Sequence, residues 1–195
     1  MAKNRTACVR EIIRTGKTLY HRQLVVGTAG NISCRLNKGQ LLISGTSTCL
    51  GALRPADIVA AGVDATFDTH KKRPSSELPL HAMIYRELDA AYIIHCHPAL
   101  TNAYFSVRSR LEEVIFETRH CLGEVPVVPQ TGVNVTDPRP VIAALKKSPL
   151  VVLKNHGVVA IGSSFAQPLY LIETLESAVK IAAVARLFSD PAFVP

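Results

Sequence analysis

Long apolar runs are missing from this sequence. None approaches the roughly 20 residues that a bilayer-spanning helix requires, so a spanning helix and a membrane partner are excluded. A secretory leader is not expected either. Met1-Ala-Lys-Asn-Arg-Thr opens polar and continues amphipathic, without a short apolar core or a small-residue cleavage site, which makes the cytoplasm the expected compartment. Cysteine spacing of the C-x-x-C kind is also absent. Cys8, Cys34, Cys49, Cys96 and Cys121 are scattered and odd in number, which argues against a zinc ribbon or dithiol motif and for reduced, mostly buried thiols. There is neither a Walker loop nor a G-x-G-x-x-G turn, so nucleotide binding has little support, and repeats and low-complexity tracts are lacking.

What is present is core-forming material. Hydrophobic residues make up 48% of 195 positions and charged residues only 19%, a globular composition sized for one domain spanning residues 1–195. The net charge of +7 raises the question of a nucleic-acid partner, but its placement argues otherwise. Lys3, Arg5, Arg10, Arg14, Lys17 and Arg22 against Glu11 put five of the seven charges on the first 22 residues. A basic face on one N-terminal helix is more often solvated surface than a nucleic-acid footprint, and no aromatic-rich basic stripe accompanies it. A modest positive field also suits a phosphorylated small molecule.

Hydrophobic spacing predicts the elements. A helix is expected over residues 4–22, with Asn4 as N-cap and Val9, Ile12, Ile13, Lys17 and Tyr20 on its buried face. Strands follow at 32–36 and 40–44, joined at Asn37-Lys-Gly as a hairpin, and another at 58–63. Helices are expected at about 76–88, 99–108 and 165–188, and further strands at 91–96, 125–128, 150–153 and 157–161. The hairpin in the first half argues against a purely parallel sheet.

The most informative stretch is Ile93-Ile94-His95-Cys96-His97-Pro98. On a strand, residues two apart share a face, so His95 and His97 project together while Cys96 points away. Strand-end histidines making ordinary hydrogen bonds would look the same, but a third histidine strengthens the metal interpretation. Val151-Val152-Leu153-Lys154-Asn155-His156-Gly157 again ends an apolar strand in a histidine, with a glycine that lets the backbone pass close to a bound group. Three protein ligands with an open position is a catalytic metal arrangement; closed structural sites use four. His21, His70 and His81 lack comparable partners and are read as structural.

Ser75-Ser76-Glu77 opens the helix near 76, where either serine can serve as N-cap and Glu77 falls in the first turn. Capping alone would account for these residues. Alternatively, first-turn amides and the two hydroxyls bind a phosphate, with Glu77 beside it as a base. Gly27-Thr28-Ala29-Gly30-Asn31 and Ser44-Gly45-Thr46-Ser47 are two further small-residue loops that could complete a phosphate cradle.

In order along the chain, Gly30-Asn31-Ile32-Ser33, Ile43-Ser-Gly-Thr46-Ser47, Pro74-Ser-Ser-Glu77, His95-Cys-His97 and Asn155-His156-Gly157 resemble the class II aldolase/adducin-head family, with the fuculose-phosphate aldolase type nearest in motif chemistry. The likeness runs from about residue 5 to 188. It implies a three-layer α/β/α sandwich around a mainly antiparallel, mixed sheet, assembled as a homotetramer with sites at subunit interfaces. It implies that His95, His97 and His156 hold a divalent metal, zinc first and manganese or cobalt as alternatives. Glu77 would be the catalytic carboxylate, able to reach the metal when the site is empty. Gly30, Asn31, Thr46, Ser47, Ser75 and Ser76 would form the phosphate site. Two departures stand out: Ser47 occupies a position where the aldolases usually carry glycine, and no tyrosine lies around Ile115–Phe116–Glu117, where a neighbouring subunit's tyrosine would act as proton donor. Glu117 and His120 stand nearby.

The resemblance implies a metal-dependent lyase that cleaves a small phosphorylated sugar by a retro-aldol reaction through a metal-stabilised enediolate. Decarboxylation of a 3-oxo sugar-acid phosphate and 4-epimerisation of a sugar phosphate are the alternatives within the family. A non-enzymatic interaction module, as in the adducin head, is the alternative outside enzymology.

Overall fold

Alternation along the strands decides the layering. In β2 (Gln40–Ser44), Leu42 points to one apolar cluster while Leu41 and Ile43 point to the other. In β4 (Tyr92–Cys96), Ile94 and Cys96 face the first cluster and Ile93 the second. A sheet apolar on both faces must be covered on both, and the helices divide accordingly.

The computed structural model describes residues 3–189. The sheet runs β3-β2-β1-β4-β7-β6-β5, with β1 Asn31–Arg35, β3 Ile58–Gly62, β5 Val127–Pro129, β6 Leu150–Lys154 and β7 Gly157–Gly162. Every neighbouring pair is antiparallel except β5 with β6, so the expected mixed, mainly antiparallel sheet is what forms. Helices α1 (Arg5–His21), α3 (Ala99–Val107), α4 (Phe116–Leu122) and α6 (Ala166–Phe188) contribute to the first cluster. Helices α2 (Leu78–Glu87) and α5 (Arg139–Leu145) contribute to the second. The result is a three-layer sandwich. Among the described residues, no helix is long and apolar enough to cross a membrane.

Several expectations are corrected. Asn4 does cap α1, accepting from the Ala7 amide at 3.2 Å. The buried face, however, is Cys8, Ile12, Thr15, Gly16 and Leu19, with Lys17 and Tyr20 exposed. The reason is a 3-10 turn at Leu50–Ala52 that packs against the helix so closely that a Cβ on Gly16 would lie 2.5 Å from the Leu50 carbonyl oxygen. Small side chains therefore mark the contact face. Helices α4 and α5 carry no usable period. Each has seven residues, and α4 buries only Thr118 and Leu122 while Phe116 is 97% exposed. The strand expected at 125–128 forms two residues later, where Val127–Pro129 pairs with β6.

Candidate metal centre and its cleft

His95 is the penultimate residue of the apolar strand β4, on the same face as Ile93, and so on the side covered by α2. His97 follows immediately beyond, while Cys96 is buried in the opposite cluster. His156 lies in the tight turn between β6 and β7, where Asn155 adopts φ 63°. A Cβ at Gly157 would lie 2.4 Å from the Cys96 carbonyl oxygen and 2.6 Å from His97 Cδ2, so only glycine lets this turn close against β4. The three imidazoles thus meet, with ligating atoms all within 4.8 Å of one another and ring centroids 4.7, 4.9 and 5.1 Å apart.

Hydrogen bonding fixes the orientation of His95. His95 Nδ1–H donates to the Val158 carbonyl at 2.9 Å, which leaves the Nε2 lone pair facing the cluster. His95 Nε2 and His97 Nε2 are 2.9 Å apart, near the separation of about 3.3 Å that two tetrahedral zinc–nitrogen bonds would impose. Burial, with neighbouring imidazoles, holds His95 well below its usual pKa; burial and His156 bring His97 down to about 4; burial lowers His156 as well. Neutral rings keep their lone pairs at physiological pH. His156 Nδ1 is buried without a hydrogen-bond partner. The donor set fits a divalent cation with a free coordination position.

The turn is held from below by α3. Asn102 Nδ2 donates to the His156 carbonyl at 3.2 Å. Glu176 of α6 caps α3, accepting from the Leu100 amide at 3.1 Å, the Thr101 amide at 2.8 Å and the Thr101 hydroxyl at 2.6 Å. Neither Asn102 nor Glu176 carries a sequence signal, because each acts across more than 50 residues.

Glu77 is 4% exposed and stands at the N-cap of α2 instead of inside its first turn, and its side chain makes no capping bond. Ser75 Oγ instead accepts from the Glu77 amide at 3.2 Å. Glu77 Oε1 accepts from the Val135 amide at 3.1 Å, while Oε2 is buried and unpartnered. Burial raises the carboxyl pKa, partly offset by the Val135 amide. A carboxyl held in this way suits proton transfer near neutral pH.

A cleft of about 150 Å³ brings together the three histidines, Glu77 and all six expected phosphate contacts: Gly30, Asn31, Thr46, Ser47, Ser75 and Ser76. Its loops are stitched together, since the Thr46 amide donates to Arg73 O and the Ser75 amide to Ser44 O, each at 3.0 Å. Those two amides are therefore committed, and Thr46 and Ser75 can offer a ligand their hydroxyls. Gly30 has φ 77°, and a Cβ there would lie 2.8 Å from the His95 carbonyl oxygen. Ser47 also adopts a left-handed conformation, φ 56°, which explains why glycine suits this position. The cleft wall includes Val133 and Asn134, which the sequence reading passed over; Ser76 Oγ donates to Asn134 Oδ1 at 3.0 Å. Glu117 and His120 lie exposed on α4, outside this lining. The larger cavity, about 620 Å³ near Arg108–Glu113 and Gly123–Val127, contains none of these residues.

A three-layer sandwich with a neutral tri-imidazole cluster beside a buried carboxylate defines a candidate metal-dependent centre. Residues 10–183 match the class II aldolase and adducin N-terminal domain, and the chain belongs to that family. It is 28% identical over 176 residues to the L-fuculose phosphate aldolase of Methanocaldococcus jannaschii, covering 88% of this chain and 93% of that one. It is 42% identical over 88 residues to the 3-oxo-tetronate 4-phosphate decarboxylase of Cupriavidus necator, 45% of this chain and 40% of that one. The solved L-fuculose-1-phosphate aldolase from Thermus thermophilus aligns with a TM-score of 0.86 at 27% identity, over 95% of this chain and 97% of that one.

Proposed function

We propose that this protein is a zinc-dependent aldehyde-lyase of one domain that cleaves a small phosphorylated sugar in the cytoplasm by a retro-aldol reaction. The observation that carries this reading is the convergence of three neutral histidines, one buried carboxyl and a hydroxyl-rich loop pair on one cleft.

His95, His97 and His156 would hold the ion, with manganese or cobalt as alternatives at an all-imidazole site. When bound, the ion supplies Lewis-acid stabilisation of negative charge developing on the substrate's oxygens. The remaining work belongs to the chain. Thr46, Ser47 and Ser75 would donate hydroxyl hydrogen bonds to the phosphate, beside the positive end of α2, and Ser76 would join them by turning its hydroxyl from Asn134 to the ligand. Asn31 Oδ1, buried without a protein partner, would accept from a substrate hydroxyl. Glu77 Oε2, equally unpartnered, would take and return the proton at the reacting carbon or its hydroxyl. Anchoring the phosphate at one end of the cleft fixes the distance of the reacting carbons from Glu77.

A homotetramer with sites shared between subunits is part of this reading. It is supported by the apolar side chains left uncovered in the single chain, Phe116 at 97%, Val133 at 85% and Val107 at 78% exposed. Decarboxylation of a 3-oxo sugar-acid phosphate is the second reading. It is favoured by the 42% identity to a decarboxylase over 88 residues and by the missing tyrosine near residue 116. Screening phosphorylated sugars and sugar acids for aldehyde release and for carbon dioxide release separates the two. Release of neither, by a protein with its metal bound, would sink both.

A further inference from the structure

On the face of the sheet that α2 covers, β1 contributes only polar side chains. Ile32 and Cys34 point into the opposite cluster, so Asn31, Ser33 and Arg35 share the α2 side. Across the ladders, His95 stands opposite Asn31, but the partners of Ser33 and Arg35 on this face, Leu41, Ile43 and Ile93, are all apolar. A polar strand in the middle of an apolar layer needs a reason, because a serine at 0% exposure contributes little packing and must satisfy its hydroxyl.

Asn31 belongs to the cleft. Ser33 and Arg35 bind α2 itself. Ser33 Oγ lies 2.6 Å from His81 Nδ1 and 2.7 Å from Tyr85 Oη, both buried on consecutive turns of α2. Arg35 Nη2 donates to the carbonyls of Tyr85 and of Leu88, the latter at 2.7 Å, and so satisfies the C-terminal end of the helix. Burial raises the Tyr85 hydroxyl well above its usual pKa, so it stays protonated, and it shares with Ser33 a hydrogen bond in which either hydroxyl can donate. Ser33 also bonds His81 Nδ1, and His81, brought down to about 3 by burial, stays neutral. A hydrogen-bonded chain of Tyr85, Ser33 and His81 therefore joins strand to helix.

Apolar contacts tolerate sliding and rotation of a helix, whereas directional hydrogen bonds do not. The helix fixed in this way has Glu77 at its N-cap, one turn before His81, and the His81 amide donates to the Glu77 carbonyl at 3.1 Å. We propose that Ser33, His81 and Tyr85 are positioning residues that set the rotation and axial register of α2, and through it aim the Glu77 carboxylate at the reacting atoms. The inference rests on the role given to Glu77 above.

The test uses the full-length protein and two readouts, one independent of any substrate. The Val135 amide reports where Glu77 sits, since Glu77 Oε1 is its acceptor. Ser33→Ala should speed hydrogen exchange at Val135 about tenfold over the sheet amides, and should lower kcat about tenfold with KM and bound metal within about twofold. Tyr85→Phe, nearly isosteric, should show the same pattern more weakly. His81→Asn keeps a hydrogen-bonding group close to Nδ1 and should retain most of kcat; His81→Leu should not. The proposal is overturned if Val135 exchange is unchanged in Ser33→Ala and Tyr85→Phe, whether kcat falls or holds. It is overturned equally if all amides and the metal content are lost in proportion, because the network would then serve stability alone. If the wild-type protein turns over nothing, the functional reading fails while Val135 exchange still decides the placement of Glu77.

Discussion

Asn31 and His95 are directly paired across the β1–β4 ladder. One register position therefore sets the Asn31 amide, proposed to meet the substrate, beside His95, the first of the candidate metal ligands, and the antiparallel pairing holds the two in a single rigid unit.

Removing a ligand should empty the centre without unfolding the sheet. His95→Ala and His156→Ala are each expected to lower divalent-metal affinity by about 100-fold or more, since two imidazoles cannot replace three. Elemental analysis of purified protein gives the answer, and full stoichiometry in either variant would count against the cluster.

The proton-transfer role proposed for Glu77 predicts a different signature. Glu77→Gln keeps the shape and the bond from Val135 but cannot cycle a proton, so turnover should fall roughly 100-fold with metal content unchanged. Steady-state kinetics on the substrate found by screening would show it, and undiminished kcat would remove Glu77 from the chemistry.

Gly157→Ala places a methyl group where the Cys96 carbonyl and the His97 ring already stand. The turn carrying His156 must move away from β4, at a cost of about 1–3 kcal/mol in stability and with loss of bound metal. Urea denaturation and metal analysis on the same sample test both parts.

At Ser47 the opposite result is expected. Its φ of 56° strains any residue with a Cβ, so Ser47→Gly should stabilise the fold by up to about 1 kcal/mol, less the chain entropy that glycine adds to the unfolded state. Denaturant midpoints compare the two, and a clear destabilisation would mean that the serine hydroxyl holds the loop.

Buried imidazoles make the metal-free protein acid-sensitive. His81 is held at about 3 and His97 at about 4, against an unfolded value near 6.5. Between those limits the unfolded chain binds more protons than the folded one, so stability rises with pH. It is complete above about 6.5 and falls progressively toward pH 4 for His97 and pH 3 for His81, with His81 accounting for about 2 kcal/mol by pH 5 and the partly exposed His97 for less. Urea unfolding of chelator-treated protein at pH 7.5 and pH 5 measures the difference. Saturating zinc at pH 7.5 should raise the melting temperature, because ligand binds only the folded cluster.

Strand and helix periods made the long elements legible: β1, β2, β4, α3 and α6 lie within two residues of where spacing predicts them. Short α4 and α5 were not legible, because seven residues with one or two turns of contact carry no measurable period. The face of α1 was misread because a turn packs on its smallest residues, and size cannot announce such a contact from one chain segment.

The sequence by itself determined the candidate ligands and the loops around them, since a histidine two residues from another on a strand must share its face, and glycine beside His156 leaves the close turn open. Only the tertiary structure decided that His156 reaches the pair at the end of β4, that Val135 holds Glu77, and that Asn102 and Glu176 brace the turn. Those contacts join residues dozens of positions apart, and the free energy that selects them comes from burying the whole sheet between its helices, which no local pattern encodes.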